Sequence, residues 1–166
     1  MRQQLIVSGI GGQGVLFLTR VIAQAAVNRE MPVLTAETHG MAQRGGTVLS
    51  TIKIGDFASP LIRTGQADAG LFLWEANLPV HRTLLREGGQ ILINAGGAGE
   101  GVRIDASAIA RELGSAVLAN LVLLGLAIRQ QTLFCSAAEC ETAIRQLAPV
   151  KLFELNIAAF HKGLHG

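Results

Sequence analysis

Charge is scarce in this chain, tyrosine is absent, and tryptophan and cysteine are nearly so. Charged residues make up 16% of 166 positions, against roughly 25% in ordinary soluble domains. The three lysines and eleven arginines are scattered, with no basic run and no interleaved aromatics, and the net charge is +2. That pattern argues against a nucleic-acid surface. Cys135 and Cys140 are the only cysteines. Their CxxxxC spacing has no histidine nearby to complete a zinc set, and two thiols cannot hold an iron–sulfur cluster, so free thiols and no metal site are expected. The longest apolar stretch, Ala116 to Ile128, is interrupted by Asn120 and is shorter than the roughly 20 residues of a membrane span. The opening MRQQLIVSGIGG has no apolar h-region, and a soluble, cytoplasmic chain is expected.

What is abundant is apolar. Such residues reach 49%, and the mean hydropathy is +0.40. Part of that surface is expected to be hidden against a partner; unusually apolar strands are the alternative. The length suits one domain over residues 1–166, large enough for a real core.

Strand and helix patterns alternate along the chain. Leu5 to Ser8 reads as a buried strand that stops at a glycine cluster, Val15 to Asn28 as an amphipathic helix, and Val33 to Ala36 as a second strand. Thr47 to Ile54, Ala69 to Trp74 and Gln90 to Asn94 read as further strands. Helices are expected over 78–86, closed by Gly88-Gly89, over 117–129, from Ser136 to Leu147, and over 152–162. Asp105 is placed to cap a short helix. Ser136 with Glu139 has capping-box spacing. The expected fold is α/β: a Rossmann-like, mostly parallel sheet with helices on both faces.

Gly9, Gly11 and Gly14 satisfy GxGxxG, with Gly12 and Gln13 between the last two. Glycines at these places allow a tight turn, close approach of backbone to ligand, and close packing of helix on strand. The following helix would offer free amides and its positive end to a phosphate. A turn without a ligand is the plainer alternative. No Lys-Ser/Thr pair follows, which excludes a Walker loop. Glu37, at the end of the second strand, stands where dinucleotide folds keep an acid for ribose, so a free-standing NAD(P)- or flavin-binding oxidoreductase is one reading. The absence of a separate substrate domain counts against it.

Residues 37–46, ETHGMAQRGG, are too polar and glycine-rich for a simple turn. Arg44, beside Gly45 and Gly46, is a bidentate donor suited to phosphate or carboxylate, with His39 and Gln43 as further polar contacts. A brace between Arg44 and Glu37 is equally open. His81, His161 and His165 pair with no nucleophile, and no Ser/His/Asp or Cys/His constellation is visible, so no catalytic residue is assigned. Trp74-Glu75 reads as a packed tryptophan beside a solvated acid, and Asn120 and Asn156 as satisfied buried amides or contacts.

GIGGQGV at 9–15 together with ETHGMAQRGGTVLSTIKIG at 37–55 resembles the gamma-type domain of the 2-oxoacid:ferredoxin (acceptor) oxidoreductases, most of all their indolepyruvate branch, where this domain is the beta subunit. Smaller matches at Pro60-Leu61-Ile62, Gly65-Gln66-Ala67-Asp68, Ala119-Asn120 with Gly125, and Asn156 with Ala159-Phe160 and Gly163 extend the resemblance over nearly the whole chain. The resemblance implies a subunit of an enzyme that oxidatively decarboxylates a 2-oxoacid, here an aryl pyruvate, to an acyl-CoA and passes the electrons to ferredoxin. Thiamine diphosphate, its Mg²⁺ and the 4Fe-4S clusters would lie on partner subunits. This chain has neither the cysteine frameworks nor a GDG-type diphosphate–metal motif. It would contribute coenzyme A binding and assembly and be inactive alone, with a homodimer one form open to it in isolation. The coenzyme's pyrophosphate would rest on the amides of Gly11 to Gly14, with Arg44 near a phosphate and Glu37 on ribose or on Arg44.

Overall fold

The computed structural model describes residues 1–39 and 46–166. Its strands are β1 (Gln3–Ile10), β2 (Val33–His39), β3 (Thr47–Ile54), β4 (Ala67–Phe72), β5 (Leu85–Asn94) and β6 (Val102–Ile104). Its helices are α1 (Val15–Asn28), α2 (Leu78–His81), α3 (Ala106–Leu113), α4 (Ala119–Arg129), α5 (Ala137–Leu147) and α6 (Phe153–His165). The strands form one sheet in the order β2-β3-β1-β4-β5-β6. β4 runs parallel to β1, β5 to β4 and β6 to β5, whereas β3 is antiparallel to both β1 and β2. The sheet is therefore mostly parallel, as expected, with β3 alone reversed.

Period-two alternation divides two unequal cores. Leu5 and Val7 of β1, Leu71 of β4 and Leu92 of β5 face α1 and α3–α6. Ile6, Phe72 and Ile93 face the other way, where Leu78, Leu84 and Ile62 cover them. Helical cover on that second face is slight. The helix expected over 78–86 is only the four-residue α2 between two 3₁₀ turns, Glu75–Asn77 and Arg82–Leu84. Leu84 and Leu85 are drawn into the small core, and Leu85 pairs with Ala67. Chain that read as helix thus begins β5, and Gly88-Gly89, expected to end a helix, lies in an irregularity of that strand. The three-residue β6 was not anticipated, because it is shorter than any usable alternation.

α4 is buried from Ala119 through Ala127. Its cover comes from this same chain, with α6, α3, α1 and the sheet all packed on it. The apolar helix is thus buried inside its own chain, one of the two places its composition allowed. Gly125 and Gly163 let α4 and α6 touch backbone to backbone.

The caps match expectation. Asp105 accepts from the Ala108 amide at 3.0 Å. Ser136 and Glu139 close a reciprocal capping box at the start of α5. Cys135 and Cys140 flank that box at the positions of a hydrophobic staple, with their sulfurs 3.5 Å apart. The hydrogen bond with Cys135, then burial, raises the Cys140 thiol far above its ordinary range, so it stays a protonated packing group.

Candidate ligand-binding site at the carboxyl edge of the sheet

β1 leads through α1 to a strand on one side of it, whereas β4 leads to β5 on the other. The carboxyl ends of β1 and β4 thus flank the switch point at which open α/β sheets bind ligands. The glycine loop sits there. Gly12 and Gly14 have φ of +90° and +77°, values that carry steric strain for any residue with a Cβ. Gly14 stands at the N-cap of α1 with no side-chain cap. Among the described residues, no acceptor meets the amides of Gly12, Gly14, Val15 or Leu16. They lie beside a shallow cavity of about 280 Å³ lined by Ile10, Gly11, Gly12, Leu16, His39 and Val48. Free amides at a helix N-terminus form an anion cradle.

The remaining loop groups are engaged within the chain. The Gly11 amide, expected to face a phosphate, donates instead to the Gly46 carbonyl at 3.0 Å. Gln13 is a clasp, its Oε1 accepting from the Ile10 amide at 2.9 Å and its Nε2 donating to the Leu73 carbonyl at 3.0 Å. A methyl group at Gly9 would collide with Gln13 and Val15, which is why a glycine stands there. Asn120, nearly fully buried, reaches from α4 to donate to the Gly14 carbonyl at 3.1 Å and accepts from the Leu121 amide. It braces the loop, a role its place in an apolar helix only hinted at.

The two glycine-rich motifs converge. Ile10 pairs with Thr47, and His39 pairs with Val48. Both ends of the 40–45 segment therefore open beside the glycine loop. Gln43, Arg44 and Gly45 lie outside the described residues. Glu37 is exposed within β2, which runs two residues past it. It pairs with Ser50, which pairs in turn with Val7. With β3 intervening, Glu37 is about 10 Å across the sheet from β1 at the usual strand spacing. A dinucleotide fold keeps this acid on the strand next to the loop, so the layout is unfavourable to that reading.

A second cavity, about 340 Å³, opens beyond Leu73 between Trp74, Glu75, Asn94, Asp105 and Ser107. Trp74 is 44% exposed rather than packed, and Glu75 is not merely solvated, because Arg103 donates to it at 2.7 Å. Asn94 donates to Ser107 Oγ and to the Leu73 carbonyl, the same oxygen that receives Gln13.

One polar cluster was missed entirely. His81, expected as a surface histidine, lies with Nδ1 2.7 Å from the fully buried Ser8 Oγ, to which Asn77 donates at 3.1 Å. No carboxylate joins them and Ser8 is closed to solvent, so the trio ties α2 to β1. Only the even spacing of Ser8 with Ile6 hinted at it. Burial lowers the His81 pKa below 6.5. The unfolded chain then binds a proton at a pH where the native chain does not. Stability should fall as pH drops below about 6.5, by at most about 1.4 kcal/mol per pH unit. Urea unfolding at pH 7.5 and 5.5 should show the loss, and His81→Gln should reduce it; an undiminished slope in that variant would remove His81 as its source.

Among the described residues, no three His, Cys, Asp or Glu side chains gather as a metal site, and no helix is long and apolar enough to cross a membrane.

A family model described as pyruvate ferredoxin/flavodoxin oxidoreductase matches residues 4–165. The indolepyruvate oxidoreductase subunit IorB of Archaeoglobus fulgidus is 33% identical, over 98% of this chain and 94% of that one. The gamma subunit of a keto/oxoacid ferredoxin oxidoreductase from Geobacter sulfurreducens superposes with a TM-score of 0.80 at 26% identity, over 98% of this chain and 96% of that one. The fold also recurs in a 2-oxoglutarate:ferredoxin oxidoreductase from Magnetococcus marinus, solved with coenzyme A, at a TM-score of 0.77 and 20% identity, over 98% of this chain and 30% of the larger one. This chain, with its clasped glycine loop at the sheet's switch point, belongs to the pyruvate ferredoxin/flavodoxin oxidoreductase family as a subunit of the 2-oxoacid:ferredoxin type.

Proposed function

We propose that this subunit holds the pyrophosphate of coenzyme A at the amino end of α1, in an assembled enzyme that converts an aryl pyruvate to its acyl-CoA. The observation that carries this reading is the set of amides at Gly12, Gly14, Val15 and Leu16 beside the cavity that His39 lines. The cavity suits a diphosphate, and the rest of so large a coenzyme would run over the surface. Arg44 and Gln43, on the segment that opens there, supply a bidentate cation and an amide. Glu37, set off by β3, is left to fix Arg44 rather than to hold ribose. The name of the Archaeoglobus relative supports indolepyruvate as substrate, and the Magnetococcus relative was solved with coenzyme A. Thiamine diphosphate, Mg²⁺ and iron–sulfur clusters are assigned to partner subunits, with ferredoxin as acceptor and no turnover by this chain alone.

In the assembled enzyme, Arg44→Ala should raise the KM for coenzyme A by about tenfold or more, the value of one charge-assisted hydrogen bond, with little change in kcat. An unchanged KM would remove Arg44 from the site.

A further inference from the structure

A larger cavity than the one at the glycine loop lies elsewhere on the chain. It is a groove of about 550 Å³ at the opposite edge of the sheet, where β1 and β4 begin and β3 ends, and it is lined by Arg2, Gln4, Lys53, Phe57, Arg63 and Gln66. From Gln4 to Ile10 the sheet spans roughly 20 Å at about 3.3 Å per residue, so a phosphate group in the groove is remote from one on the loop.

Three cations share this groove, and among the described residues none has a carboxylate within ion-pair distance. Of the acids near the groove in the chain or by contact, Asp68 is engaged by the Gln4 amide at 2.7 Å and Arg86 Nε at 3.0 Å, and Asp56, next to Phe57 in the chain, forms no ion pair with the three cations. Lys53 is only 9% exposed. Its stem is packed, while its ammonium, which has no hydrogen-bond partner, keeps solvent contact in the groove; three cations held together without a counter-charge repel one another in the free chain and are relieved when an anion arrives. Phe57 provides partial relief, with Arg2 4.1 Å and Lys53 4.9 Å from its ring centre. Those contacts already engage the ring with two cations. What remains is recognition of concentrated negative charge: two guanidinium forks, one ammonium and two side-chain amides.

We propose that this groove is a second anion site, one that takes a compact polyanion of the di- or triphosphate class. A carboxylate strung along a peptide backbone brings one charge at a time, whereas a di- or triphosphate brings several charges on adjacent atoms to all three cations at once.

Isothermal titration of the full chain with inorganic pyrophosphate at low salt tests this. The Arg44→Ala chain, impaired at the glycine loop, should still bind saturably and with the parent's groove affinity. Lys53→Met, which keeps the packed stem, and Arg63→Gln, which changes an exposed residue, should each weaken that binding at least tenfold. Should Lys53→Met fail to fold, Arg63→Gln and Arg2→Gln report alone. The proposal is overturned if those variants bind like the parent, if no saturable heat appears, or if sulfate binds equally well. It is also overturned if an octaglutamate peptide binds and pyrophosphate does not, which would give the groove to an acidic protein segment.

Discussion

Gly163→Ala should cost this protein more than about 3 kcal/mol, beyond the usual range of an overpacked core, and lower its Tm by about 10 °C or more. The sign is what makes the result informative. In a helix that packs on nothing, replacing glycine by alanine stabilises by about 1 kcal/mol. Here the added methyl group would fall on the Val122 carbonyl oxygen of α4. The reciprocal change Gly125→Ala would meet the Phe160 carbonyl and the Leu164 amide, at 2.6 Å from the latter. Neither obstacle is the flexible end of a side chain, so the two helices must separate along their contact. α4 also carries Asn120 to the Gly14 carbonyl, so the displacement should loosen the glycine loop. Urea and thermal unfolding of the two variants, with exposed Lys162→Ala as a control in α6, provide the measurement. A Tm equal to or above the parent's would refute the backbone-contact account.

The second large effect is expected at Gly14→Ala, through two separable causes. The residue has a φ of +77°, which strains an alanine by about 1–3 kcal/mol. The new methyl would also overlap the Asn120 amide, breaking the bond by which α4 holds the loop. Together these should remove roughly 2–4 kcal/mol, and in the assembled enzyme they should raise the KM for coenzyme A. A double-mutant cycle separates the terms. Asn120→Ala alone should cost about 1 kcal/mol for the lost hydrogen bond. Added to Gly14→Ala it should restore part of the stability, because the collision disappears and only the backbone strain remains. Strict additivity of the two losses would contradict that account.

Much of the local structure around the candidate site was legible residue by residue. GxGxxG between an apolar strand and an amphipathic helix indicated a tight turn, and the structure makes that turn with positive φ at Gly12 and Gly14. Ser136 with Glu139, and Asp105 before its helix, were readable because a cap is decided within four residues. Pairing the glycine motif with residues 37–46 pointed to the right family, and the register of β1, β2 and β3 brings the flanks of both motifs together. For Gln13 the sequence indicates a ligand contact, because a polar side chain in a glycine loop invites one, and the structure adds that both ends of its amide are satisfied within the chain. His81 was hidden for the opposite reason, since its partner Ser8 is 73 residues away.

By itself, then, the sequence determined the local chemistry: where the backbone makes a tight glycine turn, where helices start, which faces are apolar, and that two glycine motifs belong to one fold. These are encoded over spans of a few residues, in which sterics, hydrogen-bond capping and periodicity act without the rest of the chain. The tertiary structure alone decided that β3 lies reversed between β2 and β1, moving Glu37 away from the loop. It also buried α4 within its own chain and gathered Arg2, Lys53 and Arg63 around one groove. Strand order and such gatherings depend on which long-range closures bury the most apolar surface for the least lost chain entropy. That balance is struck over the whole molecule, and no short window of sequence contains it.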